Sequence, residues 1–141
     1  MKKLRIGFLA RFLAMVCLLI GATAFAQATD WTPVNDPKDL ADLYTNKTIR
    51  SLGFVGYYRA DGRGFLIVPN MKPIGRKWFV RGNDQGCATL DSGPTLCLRF
   101  QRHKDNRNLI RIVDLAQNLN YTATVEEGIP DLEPFEKASR P

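Results

Sequence analysis

Histidine is almost missing from this chain: of 141 residues, His103 alone carries an imidazole. It lies in Arg102-His103-Lys104-Asp105-Asn106-Arg107, where neighbouring cations and turn-forming residues describe a solvated loop, not a catalytic base. With one imidazole there is no ligand set for a metal centre, since two thiolates need further partners. No serine stands in a nucleophile-elbow context: Ser51 and Ser92 read as strand and turn residues. Gly62-Arg63-Gly64 is too short for a phosphate-cradling loop, no Cys-x-x-Cys pair occurs, and no internal repeat is found. The carboxylates of the central region, Asp61, Asp84, Asp91 and Asp105, sit beside Gly, Ser or Asn, or in turns, where Asp serves turn geometry. A glycosidase-type pair of carboxylates would have to be assembled in space and has no sequence signal. These shortages predict no enzyme, no cofactor and no metal ligand.

Long apolar runs are also missing, with one exception at the start. Lys2, Lys3, Arg5 and Arg11 precede the apolar run Phe12 to Ile20, and Ala24-Phe25-Ala26 follows with small residues where signal peptidase reads them. Residues 1–26 therefore read as a cleavable secretory signal cut before Gln27. An uncleaved anchor is the rival reading, but the second half of the uncharged stretch is Gly, Ala, Thr and Gln, a weak membrane span. A lipid anchor at Cys17 lacks the preceding small residues. The expected compartment is periplasmic or secreted, with no integral membrane segment after cleavage. About 115 residues remain, enough for one modest core.

Removing the signal takes four cations and no acids, which lowers the net charge from +6 to about +2. The remaining charge is segregated. Between Lys47 and Arg111 stand 13 cations against four acids, while the flanks carry Asp30, Asp36, Asp39 and Asp42 on one side and Glu126, Glu127, Asp131, Glu133 and Glu136 on the other. A basic surface for an anionic partner is the functional reading. The blander reading, in which acidic ends fold back over a basic body or the cations solvate a sheet face, carries more weight.

Two cysteines survive cleavage, Cys87 and Cys97. An even count in an oxidising compartment argues for a structural disulfide.

Asp36-Pro37-Lys38-Asp39 is a helix start, with Asp as cap and Pro in the first turn; Leu40, Leu43 and Tyr44 supply its buried stripe up to Thr45-Asn46. From Thr48 onward strands and turns dominate. Thr48 to Tyr58 reads as one β-rich stretch in which Gly53 and Gly56 suggest a bend or bulge. Further strands are expected at Phe65 to Val68, Arg76 to Arg81, Cys87 to Leu90, Thr95 to Arg102, Leu109 to Val113 and Tyr121 to Val125. The fold class is mainly β: a small antiparallel barrel or sandwich of six to seven strands with one short N-terminal helix. Residues 27–125 form this single domain, and 126–141 an acidic, irregular tail. If Cys87 and Cys97 are directly opposed, Ala88, Leu90, Leu96, Leu98 and Phe100 share one face and Cys97, Arg99 and Gln101 the other. The disulfide would then lie on the wetter side of its sheet.

Several elements in order resemble a group of small secreted proteins of rhizobia and other proteobacteria, grouped as a domain of unknown function. They are a short helix, then Leu43-Tyr44-Thr45-Asn46-Lys47-Thr48, Tyr57-Tyr58-Arg59-Ala60-Asp61-Gly62, Gly75-Arg76-Lys77-Trp78, and the pair Cys87 and Cys97, spanning roughly Asp36 to Ile112. That group more often has Gly-x-Trp, so Lys77 is an extra residue that would mark a bulge. The resemblance implies compartment, disulfide and a β-rich fold, and no activity.

Tyr57, Tyr58, Trp78 and Phe79 lie among Arg59, Arg76, Lys77 and Arg81, a superficial match to single-strand nucleic-acid binding that the export signal argues against. Two functional classes remain. One is a binding module for an anionic envelope component (polysaccharide, lipid headgroup or acidic peptide) using Arg59, Arg63, Arg76, Lys77 and Arg81 gathered on one rim. The other is a proteinaceous inhibitor of a secreted hydrolase. A concave cavity would favour the first, a protruding rigid loop the second.

Overall fold

The computed structural model describes residues 29–140, so the expected signal segment and its cleavage position lie outside the described residues. Nine strands and two helices follow in order: β1 (Trp31–Pro33), α1 (Pro37–Asp42), β2 (Lys47–Ser51), β3 (Phe54–Tyr58), β4 (Arg63–Ile67), β5 (Ile74–Arg81), β6 (Gln85–Leu90), β7 (Thr95–His103), β8 (Asn106–Asp114), β9 (Leu119–Glu127) and α2 (Glu133–Ser139). From β2 to β9 each strand pairs antiparallel with the next, and β9 returns to pair with β2. The result is a closed, eight-stranded up-and-down barrel, which settles barrel against sandwich. Closure leaves no free edge in the ring. The ninth strand, β1, lies beside the second half of β7, with Trp31 opposite His103.

Alternation along each strand sorts side chains between lumen and exterior. On β5, Trp78 and Val80 join the core while Lys77 and Arg81 are exposed outside. The lumen core includes Ile49, Tyr58, Phe100, Ile110, Ile112 and Val125, drawn from β2, β3, β7, β8 and β9. Outward positions on β5 and β7 carry Lys77, Arg81 and Arg99, the reverse of the apolar outer band of a membrane-inserted barrel. Among the described residues no helix is long and apolar enough to cross a membrane.

One end of the barrel is closed by α1. Asp36 caps it as expected, its Oδ1 accepting from the Lys38 and Asp39 amides at 2.9 and 3.1 Å, with Pro37 in the first turn. Six residues make a helix too short to stand alone, so burial of Leu40, Leu43 and Tyr44 must hold it. Asp42 adds ion pairs to Lys47 and Arg102 at 4.0 and 3.8 Å. The hairpins β2–β3, β4–β5, β6–β7 and β8–β9 turn at the opposite end.

Several expectations need correction. Residues 48–58 are two strands, not one bent strand, because Leu52-Gly53 is a tight turn lacking the usual Asn-Gly or Asp-Gly signal. Neither Gly56 nor Lys77 marks a bulge: both pairings run in unbroken register, and the irregularity lies at Arg102/His103 instead. Gly56, Gly64 and Gly86 serve close approach. A Cβ at Gly56 or Gly64 would collide with the Tyr58 ring, and one at Gly86 with Tyr44 and Phe100.

Within 126–140 the segment is largely regular, not an irregular tail. Strand β9 runs to Glu127 because its last residues meet Lys47 and Thr48, and α2 follows. Phe135 of α2 packs on the outer face of the barrel, 5.3 Å from the Tyr57 ring and 6.3 Å from Phe65, while Leu132 before it is buried.

The disulfide hairpin has the expected register, Cys87 opposite Cys97 and Ala88 opposite Leu96, with the bond formed across a Cα separation of 4.1 Å. Cys97 lies on the face opposite to Leu96 and Leu98, also as expected. Its surroundings are drier, however: Cys87 is fully buried between Phe79 on β5 and Cys97 on β7.

Candidate functional site

The lumen is not filled. Above the α1 plug a cavity of about 460 Å³ opens toward the β2–β3 and β6–β7 turns. Its walls are mainly apolar, including Ile49, Leu66, Ala88, Leu98, Phe100 and Ile112. Leu52 and Gly53 of the β2–β3 turn and Leu96 of β7 form the mouth, with Leu52 fully exposed. The size falls within the range of pockets that enclose one small molecule.

The buried end has a different chemistry. Tyr44, in the turn that follows α1, stacks on Trp78 at 5.1 Å between centroids, with edge-on contacts to Tyr58 at 4.9 Å and Phe100 at 5.8 Å. The Trp78 indole N–H is satisfied by the Arg59 carbonyl at 2.7 Å. Burial pushes the Tyr58 hydroxyl above the ordinary tyrosine range, and the Tyr44 hydroxyl well above it, despite an opposing pull from the Arg76 charge. Both therefore remain protonated and able to donate.

Arg76 is the lumen's cation. It is 8% exposed, lines the cavity, and donates one long hydrogen bond, 3.5 Å from Nη1 to the Tyr58 hydroxyl. Its Nε is buried without a partner, and among the described residues no carboxylate lies within ion-pair distance. A guanidinium carries five donors and cannot shed its charge. Burying one unpaired is costly, and buried charges in folded proteins ordinarily have partners. Position decides its place: Arg76 has the inward parity of Trp78 and Val80, so the strand carries it into the lumen.

The five expected ligand-binding cations do not gather on one rim, because alternation sends Arg76 inward and Lys77 and Arg81 outward. Arg59 pairs with Asp61 at 2.8 Å and Glu136 at 3.8 Å. Arg63 makes a bidentate pair with Asp91 at 2.6 and 2.8 Å. Lys77 is brought beside Arg63 across β4–β5, along a shallow recess with Asp61 and Trp78. Arg81 lies over the Phe79 ring. Elsewhere the acidic flanks fold back over the basic body: Asp30 onto Lys104, Glu126 onto Arg50, Glu127 onto Lys47 and Glu136 onto Arg59. Most of the basic surface is thus neutralised internally.

Sequence reasoning missed the cavity and the Tyr44–Tyr58–Arg76 cluster. The available signal was parity: Arg76 shares its strand face with Trp78, and an Arg on the aromatic face of an amphipathic strand is out of place. Cys87 and Cys97 form the expected disulfide.

Comparison with protein-family models, curated proteins and solved structures found no match to this chain. The resemblance to the rhizobial group rests on its sequence pattern alone.

Proposed function

We propose that this protein is an exported, non-enzymatic binding module that holds one small anionic ligand of the cell envelope inside its barrel. The observation that carries this reading is the buried, unpaired Arg76 guanidinium facing an open, largely apolar cavity. A charge kept out of water without a carboxylate is a stability cost that a bound anion would offset. The site is concave, the feature that separates ligand capture from inhibition by a projecting loop. The rival candidate for such a loop is the exposed tip at residues 91–96, but its Asp91 is folded back onto Arg63.

The test is binding to an array of acidic glycans, lipids and small organic anions at low and moderate salt. Arg76→Ala should abolish binding while Lys77→Ala and Arg81→Ala leave it intact. Binding that depends on Lys77 and Arg81 but not on Arg76 would move the site to the outer surface and refute the proposal.

A further inference from the structure

Resting on that reading, we infer that the ligand is a single-chain amphiphilic carboxylate, bound with its carboxylate on Arg76 and its chain running out toward Leu52 and Leu96. Charge and shape in the lumen are complementary to such a molecule. The cavity lining offers one positive charge, and its planar fork of donors matches a carboxylate bidentately. Beside it the Tyr58 hydroxyl, kept protonated by burial, is positioned as a further donor. Arg76, Tyr58 and Tyr44, the polar groups of the inner end, are buried, whereas the mouth is mainly exposed leucine and glycine, with the Ser51 hydroxyl beside it already donating to the Thr122 carbonyl. A head group must therefore enter first, and what trails behind it meets mainly apolar walls. A sugar or a peptide would leave hydroxyls or amides unpaired against Ile49, Leu66 and Ile112, a penalty that selects against them. At about 460 Å³ the cavity suits one slender chain and lacks room for a two-chain lipid.

The surroundings of the mouth agree with an apolar tail. Leu52, Met71, Leu96, Leu115 and Leu119, five large exposed apolar side chains, stand at or beside the turns of this end of the barrel. The sixth exposed one among the described residues, Phe79, is on the outer face of β5 under Arg81.

Trp78, stacked on Tyr44 at the buried end, is a built-in reporter. In a Trp31→Phe background, its fluorescence would be followed during titration with dodecanoate, dodecanol, dodecyltrimethylammonium and benzoate, all below micellar concentration. Dodecanoate is expected to saturate at one per chain and to bind at least tenfold more tightly than the alcohol or the cation. Arg76→Met should bring acid and alcohol within about threefold of each other, with Arg76→Lys retaining part of the preference; circular dichroism checks folding of each variant. Stearic acids carrying a nitroxide at carbon 5 or carbon 16 then test orientation, the former expected to quench Trp78 more.

Equal binding of acid and alcohol, or stronger quenching from carbon 16, overturns the inference while leaving lumen binding in place. Arg76-dependent binding of benzoate without dodecanoate also overturns it and spares the broader reading. Absence of binding by every anion tried, together with silence on the wider array, sinks both.

Discussion

If Arg76 is kept for a ligand, the empty protein should be more stable without it. Its environment allows the size of the effect to be worked out. Withdrawing a guanidinium from water costs several kcal/mol even after relaxation. Against this stands one hydrogen bond at 3.5 Å to Tyr58, near the limit of useful geometry and worth no more than about 1 kcal/mol. Replacing Arg76 by Met keeps an unbranched apolar stem and removes the charge, but leaves the buried Tyr58 hydroxyl alone at a cost of about 1–3 kcal/mol. The double variant Arg76→Met with Tyr58→Phe removes that debt as well. Swapping buried ionic groups for apolar ones of similar volume gains about 1–4 kcal/mol in comparable settings, so about 2 kcal/mol is expected here. For a domain of this size that raises the melting temperature by roughly 8 °C. The assay is thermal and urea denaturation of ligand-free protein with the disulfide intact, comparing wild type, each single variant and the pair. Destabilisation of the double variant by more than about 1 kcal/mol would show that Arg76 is a structural element of the barrel, and the reasoning that makes it a binding group would fail.

Other consequences concern the scaffold. Gly86→Ala should cost about 1–3 kcal/mol, because its Cβ runs into Tyr44 and Phe100, and should also alter Trp78 fluorescence through the displaced Tyr44; unchanged denaturation curves would contradict the packing described. Replacing both Cys87 and Cys97 by Ala releases a loop closed across a separation of 10 residues, and should lower stability by about 2.8 kcal/mol on chain-entropy grounds, read as a shift in urea midpoint. The Asp91 carboxyl is held below its ordinary range, chiefly by the hydrogen bonds from Arg63, so its contribution is present above about pH 4 and is lost as pH falls through the lower native value. With Asp91 about half exposed the amount is small, under about 1 kcal/mol. Asp91→Asn should flatten the stability profile below about pH 4, and profiles that stay parallel would rule this out.

What the sequence disclosed, and what it hid, follows the range of the interactions involved. The α1 cap at Asp36-Pro37, the hairpin register at Cys87 and Cys97, and most strands are written in local chemistry, and all are found. The turn at Leu52-Gly53 was hidden because its residues carry no strong turn preference, leaving β2 and β3 to look like one strand. Helix α2 had local signs that were passed over: Pro134 in the first turn, Glu133 and Lys137 four apart, and Leu132 and Phe135 on one side. Its acidity and three prolines in the tail suggested an irregular segment instead. The cavity was out of reach, because it depends on which residues eight strands bring to one level. Arg76 was singled out, but as one of a surface group; separating it from Lys77 required knowing which face of β5 looks inward.

The ring is completed by β9 lying against β2, partners some 80 residues apart, stitched by Lys47 to Glu127 and Arg50 to Glu126. Every other seam in the barrel joins neighbours in the chain and can form as a hairpin within microseconds. The last seam has to wait for a long loop to close, and until it does β2 and β9 each present a bare row of amides and carbonyls. Folding therefore ends with a slow step during which a curled but open sheet is vulnerable to pairing with its own kind. The opposite charges at this one seam act as a guide for that closing encounter, favouring the correct edge over a neighbour's during the interval when the barrel is still a ribbon.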